Sequence, residues 1–311
     1  MKIFKGIDAF HRPPRRAVVT IGMFDGVHLA HQRLIRMTVR LARQRRGTSV
    51  ALTFDPDPQR VLAPSRALPP LMPLAQRLEL MRAFGLDVVW IIPFTRRFAQ
   101  CTPEAFVRTI VLDRLRAACV VVGTGFAFGN ARRGDVALMT RVGRPHGLRV
   151  VALPQVRRAG VPVSSSRIRG LVQAGRVEVA RALLGRPSRL SGRVVRGRGV
   201  GRRMGFPTAN VHLDPMLRPA SGVYAVCLWK ETATAVRWRG LMNLGHRPTF
   251  GRGPLACEVH LPDFRGRLYG QRVRIGLLHR LRDERRFASP EALAQQIRRD
   301  LATLRVPSSE L

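Results

Sequence analysis

Residues 22–32 read GMFDGVHLAHQ and place His28 and His31 three positions apart, so both imidazoles can share one face of a first helical turn. Two imidazoles there can steady the negative charge that builds on a phosphate under attack. Gly22 and Gly26 flank Phe24 and Asp25 and let the backbone bend just ahead of that turn, whose free N–H groups suit a phosphate. Taken alone, two such histidines read more readily as solvent-facing residues on an exposed helix. The glycine-bounded turn and the apolar run before it favour the phosphate reading.

Three further groups carry chemistry. Residues 164–169, SSSRIR, put the hydroxyls of Ser164, Ser165 and Ser166 beside Arg167 and Arg169 at a helix start, a natural phosphate cradle. Gly192, Gly197, Gly199, Gly201 and Gly205 then precede Pro207, Thr208 and Asn210. Repeated glycines let a loop wrap phosphates through its amides, or mark ordinary turns. Thr208 and Asn210 offer the hard oxygens that Mg²⁺ prefers. Glu258, in CEVH at residues 257–260, reads by itself as a strand carboxylate facing water.

The elements that must position these groups come in two rhythms. Apolar runs at residues 17–24, 49–54, 88–94, 119–122 and 149–153 alternate with helical stretches. The first helix sets Leu34, Met37, Leu41 and Ala42 against Arg33, Arg36, Arg40 and Arg43, and Gly47 closes it. Strand, crossover helix and strand make right-handed parallel units, and five strands joined in this way describe a doubly wound α/β sheet that binds ligands at its C-terminal edge. Beyond residue 187 the segments become short, alternating and glycine-bounded, at residues 191–195, 222–229, 236–244, 257–261 and 271–279. That pattern suits an antiparallel barrel or sandwich. A last helix follows, capped by Ser289 with Pro290 at its first position and a face of Ala292, Leu293, Ile297 and Leu301. The expected domains are residues 1–186 and 187–311.

Composition narrows the classes. At 45% hydrophobic, the chain can bury a core in each half. Its four cysteines stand far apart with no CxxC pair, which argues against a zinc site or disulfide framework and suits a reducing compartment. No apolar run approaches the length of a membrane span, and residues 1–5 lack a signal sequence, so the expectation is a soluble cytoplasmic protein without a membrane partner. The net charge is +36, and lysine occurs only at Lys2, Lys5 and Lys230, so nearly all of it comes from arginine. An arginine-rich nucleic-acid binder is one reading of that charge. Arginines spread along the whole chain, with few aromatics to stack bases, favour a basic enzyme that handles nucleotides.

The motif strings resemble those of the bacterial bifunctional riboflavin kinase/FMN adenylyltransferases. The FDG turn with its two histidines is similar to that family's nucleotidyltransferase signature, and residues 164–169 to the segment that contacts ATP phosphates. GFPTAN at residues 205–210 looks like the riboflavin kinase motif for ATP and magnesium. Further matches are GVYA at residues 222–225, NLGHRPTF at 243–250 and LRDE at 281–284. The resemblance implies an ATP-dependent transferase that makes FMN from riboflavin and FAD from FMN, with Mg²⁺ needed at both steps. It implies Glu258 as the base for the ribityl hydroxyl, and Asn243, Arg282 and Glu284 at the flavin.

The first half departs from that family's pattern. Ala30 replaces the glycine of His-x-Gly-His, Asp57 stands where a histidine is usual, and Gly125 takes a position usually held by Asp or Asn. Ala127 and Asn130 replace Arg and Lys. An anion at Asp57 repels a triphosphate. These changes imply weakened adenylylation, or a first domain that serves only as a scaffold.

Overall fold

The computed structural model describes residues 1–10, 12–197, 199–245 and 255–304. Residues 246–250 of the NLGHRPTF string lie outside these. The chain forms two compact units, residues 1–68 with 73–165, and residues 69–72 with 166–311.

The first unit is a six-stranded, wholly parallel sheet: Lys2–Lys5 (β1), Val18–Ile21 (β2), Ser49–Asp55 (β3), Val88–Pro93 (β4), Cys119–Gly123 (β5) and Arg149–Leu153 (β6). Their order is β1-β4-β3-β2-β5-β6. Five of these strands follow the apolar runs of the sequence. The sixth, β1, is a four-residue edge strand paired with β4 from Lys2 opposite Val88, too short and too charged to announce itself. The central strands are buried on both faces, which is why they read as unbroken apolar runs. Val19, Ile21, Leu52, Trp90, Ile92 and Val120 pack one face against helical residues Phe106, Val107 and Ile110. Val18, Cys119 and Val121 face Ala42 on the helix Leu29–Gln44 (α1). The four arginines of α1 are exposed as expected, but its deepest apolar residues are Ile35, Val39 and Ala42. Gly47 does close the helix: its amide reaches the Ala42 carbonyl at 2.9 Å, and a Cβ there would strike the Arg16 carbonyl.

After a small hairpin of Arg157–Arg158 (β7) and Val161–Pro162 (β8), the second unit begins with the helices Ser165–Gln173 and Val177–Leu184. Its body is a closed antiparallel barrel of Ser188–Val195 (β9), Thr208–Leu213 (β10), Gly222–Lys230 (β11), Ala233–Gly245 (β12), Ala256–His260 (β13) and Arg272–Arg282 (β14). The order round the barrel is β10-β13-β12-β11-β14-β9. Val194, Val211, Tyr224, Val226, Met242, Val259 and Ile275 fill the interior, joined by Val177 from the preceding helix. The final helix, Pro290–Ala302, is capped as its sequence suggests, with Ser289 Oγ accepting from the Ala292 amide at 3.3 Å. Its apolar face is only half-buried. The deepest residues are Gln296 and Asp300. Asp300 takes Arg282 Nη2 at 2.8 Å and Gln296 Nε2 at 2.7 Å, so this helix is held by a satisfied polar seam.

Candidate active sites

In the sheet unit, the chain leaves β2 at Ile21 and enters α1 through residues 22–28, at the C-terminal edge of the parallel strands. His28 is the N-cap of α1, and its Nδ1 accepts the His31 amide at 3.4 Å, an arrangement that leaves the ring proton for Nε2. The two imidazoles stack with centroids 3.6 Å apart and an interplanar angle of 15°. Phe24 meets His31 edge-on at 5.2 Å. Phe24, Gly26 and Val27 have φ of 52°, 80° and 38°. Glycine adopts that region freely, whereas each of the other two residues is held there at a cost of about 1–3 kcal/mol.

Ser165 Oγ donates to the Asp25 carbonyl at 2.9 Å, so the serine cluster meets the FDG turn although 140 residues separate them. Ser164 precedes that contact. Ser166, Arg167 and Arg169 follow it on the helix Ser165–Gln173, with Ser166 and Arg167 exposed and Arg169 buried.

The departures from the family pattern find definite places. Asp57 caps the helix Pro58–Leu62, its Oδ1 accepting from the Gln59 amide at 2.8 Å. A Cβ on Gly125 would meet nothing within 4 Å. Ala30 sits in the first turn of α1, Ala127 is half-buried, and Asn130 opens a short helix with its amide on the Cys101 carbonyl at 2.8 Å.

Arg77 belongs to this site without any sequence signal. It lies on the buried side of the helix Leu74–Ala83, among residues whose spacing marks it as an ordinary surface arginine. Its Nη1 donates to the Met23 carbonyl, which Thr53 Oγ1 also reaches at 3.3 Å. Burial pushes the guanidinium down from its usual value, and the charges of Asp25, Asp55 and Asp57 oppose that shift.

In the barrel unit, strand register does the assembling. Asn210 on β10 stands directly opposite Glu258 on β13, and Glu258 stands opposite Asn243 on β12. Such pairs hold their Cβ atoms about 4.5–5.5 Å apart. Their neighbours Val211, Cys257, Val259, Met242 and Leu244 fill the interior, so alternation puts Asn210, Glu258 and Asn243 in one row on the outer face. Thr208 shares that face two residues before Asn210, opposite His260, whose Nδ1 lies 2.9 Å from the Pro207 carbonyl.

The glycines fit round this row. A Cβ on Gly197 would collide with the Asn210 side chain, and one on Gly201 would come within 2.5 Å of the Phe206 carbonyl. Gly205 turns with φ 83°. Gly192 lies instead within β9, where the His212 carbonyl leaves no room for a side chain. Of the flavin candidates, Asn243 Nδ2 reaches Glu284 Oε1 at 3.5 Å. Arg282 is committed to Asp300 and lies over the Phe287 ring at 5.7 Å.

Two family models match the chain, FAD synthetase over residues 11–167 and riboflavin kinase over residues 184–306. A bifunctional riboflavin kinase/FMN adenylyltransferase of Escherichia coli K12 is 36% identical over 306 residues, covering 98% of this chain and 97% of the relative. A protein of the same description from Pseudomonas fluorescens is also 36% identical, over the same share of each chain. Among solved structures, a Streptococcus pneumoniae protein described as a macrolide-efflux protein superposes with a TM-score of 0.88 at 30% identity, over 99% of this chain and 100% of that one. Efflux is said of that protein. Among the described residues here, no helix is long and apolar enough to cross a membrane. Matched from end to end, with one model on each half, this chain belongs to the bifunctional riboflavin kinase/FMN adenylyltransferase family.

Proposed function

We propose that the barrel phosphorylates riboflavin to FMN and that the sheet unit adenylylates FMN to FAD, both from ATP. The row Asn210–Glu258–Asn243 carries the first assignment. Glu258 accepts the proton of the ribityl 5′-hydroxyl as the γ-phosphoryl of ATP moves to that oxygen and ADP leaves, an effect of about 10²–10⁴-fold. Asn243 and Glu284 hold the flavin side of the row, and Gly197, Gly201 and Gly205 let the backbone close on the triphosphate. Arg282 acts beside Glu284 through its Asp300 pair, which ties β14 to the final helix.

Thr208 and Asn210 would hold Mg²⁺. Among the described residues no three His, Cys, Asp or Glu side chains gather as a metal site. Mg²⁺ keeps several waters and takes much of its coordination from substrate phosphates, usually beside one or two carboxylates; here the hydroxyl of Thr208 and the amide oxygen of Asn210 would be its protein ligands. When bound, the ion neutralises charge on the transferring phosphoryl group.

In the sheet unit the FMN phosphate attacks the α-phosphorus of ATP and pyrophosphate leaves. The histidine pair, the start of α1, Ser164 and Ser165 supply the donors that face the phosphates in that step. The departures at Ala30, Asp57, Gly125, Ala127 and Asn130 leave the turn, the stacked histidines and the Ser165 contact in place. That favours an adenylyltransferase over an inert scaffold. Reliance on ATP and unpaired thiols at Cys101, Cys119, Cys227 and Cys257 fit a cytoplasmic setting.

The test supplies riboflavin, ATP and Mg²⁺ to the full chain and separates the flavins by chromatography. FMN should form first and FAD after it, and a chelator should stop both. Glu258→Gln should bind riboflavin while FMN formation falls by about 10²-fold or more, with FAD formation from added FMN unchanged. Normal FMN formation by that variant removes Glu258 from the mechanism.

A further inference from the structure

A set of donors holds the turn of residues 22–27 from its carbonyl side, and the transfer chemistry above gives Arg77, Thr53 and Gln32 no task. The Met23 carbonyl accepts from Arg77 and Thr53, the Asp25 carbonyl from Ser165, and the Val27 carbonyl from Gln32 Nε2 at 3.0 Å. In a trans peptide the N–H points away from its own carbonyl. Each held carbonyl therefore fixes the N–H of its own peptide, on Phe24, Gly26 and His28, in the direction away from the donor that holds it. Local preference does not make this shape, because Phe24 and Val27 are fully buried with φ in the left-handed region. The surroundings impose it.

Arg77 stands out among these donors. It is only 6% exposed and reaches Met23 from 54 residues away. Its Nε has no hydrogen-bond partner among the described residues. The charges of Asp25, Asp55 and Asp57 act on its guanidinium and oppose the effect of burial. A buried guanidinium with an unused donor is expensive to keep, and an apolar residue would fill the space at less cost.

We propose that Arg77 is a positioning residue for adenylyl transfer, which holds the turn of residues 22–27 in its phosphate-binding form through the Met23 carbonyl, with Gln32 as a second latch. This rests on the adenylyltransferase reading of the sheet unit. Release of Met23 lets its peptide rotate, and the Phe24 amide turns away from the triphosphate. ATP binding at this site suffers first, while the barrel keeps its own ATP site.

The experiment uses the full chain with Arg77→Met, Arg77→Lys and Gln32→Leu. FAD formation from FMN is followed against ATP concentration, and riboflavin phosphorylation by the same molecules serves as an internal control. Arg77→Met should raise the KM for ATP in FAD formation about tenfold or more, with riboflavin phosphorylation unchanged. Arg77→Lys keeps the charge and should recover part of the loss, and Gln32→Leu should raise the same KM by a smaller factor. A KM for ATP that stays at the unsubstituted value in Arg77→Met overturns the proposal. Should Arg77→Met not fold, an unchanged KM in both other variants overturns it equally. Should the unsubstituted chain make no FAD, the functional reading fails by itself. Calorimetric titration with ATP then decides the latch, with two sites expected in the unsubstituted chain and one in Arg77→Met, and equal site numbers overturning it.

Discussion

Asp57 caps a helix through the Gln59 amide and lies in the field of the Arg77 guanidinium. Read from the sequence alone, it is an anion placed against a triphosphate. In the folded unit its charge already has two uses, and its net field at the nucleotide is correspondingly smaller. Replacement by the histidine usual in the family should therefore not improve FAD formation. Asp57→His removes an N-cap worth about 0.5–2 kcal/mol and one of the three anions whose charge acts on Arg77. The expected outcome is a lower melting temperature and an equal or higher KM for ATP in adenylylation. A clear gain in FAD formation with Asp57→His would restore the repulsion argument. Gly125→Asp is a different case: a Cβ there meets nothing within 4 Å, so a side chain fits without displacing a neighbour.

Among elements, the helix Val177–Leu184 decides where the chain can be cut. It precedes the glycine and proline at 185–187 that mark a boundary in the sequence, yet it packs on β14 and β9. Val177 belongs to the barrel core, and Glu178 Oε1 accepts the Arg280 amide at 2.8 Å. Burial of an apolar side chain of this size is worth about 1.5–3 kcal/mol. A fragment of residues 166–311 should therefore fold and phosphorylate riboflavin, and melt at a higher temperature than residues 187–311. Thermal melts of the two fragments, followed by circular dichroism, check this. Equal melting temperatures would make the helix a bystander. The final helix carries a related lesson. Its cap was legible in Ser289 and Pro290, because capping is local. Its buried seam of Gln296 and Asp300 was not, because only packing supplies Arg282 as a partner.

At the scale of the whole molecule the charge of +36 is the dominant property. On α1 the exposed Arg33, Arg36, Arg40 and Arg43 share a helix with no acidic residue. Like charges at this density oppose compaction, and salt screens them over a Debye length of about 8 Å at physiological ionic strength. The melting temperature should rise as sodium chloride is raised from low to physiological concentration, and retention on DNA should vanish over the same range while flavin turnover persists. DNA retention that survives salt would bring back a nucleic-acid partner.

The sequence by itself determined the two rhythms of the chain, the ends of most strands and the motif strings, since periodicity, turns and caps depend on near neighbours. It could not reveal β1, whose four residues gain their meaning from β4, and it marked Thr208 and Asn210 as a motif without showing that they form a barrel strand. Only the tertiary structure decided who faces whom. Glu258 between Asn210 and Asn243 follows from barrel order and register, and Arg77 at the Met23 carbonyl follows from tertiary contact across 54 residues of chain. Those partners are far apart in the chain, so no local pattern encodes them. They meet only because closing the barrel and burying the sheet leave one arrangement that packs the core and satisfies its polar groups.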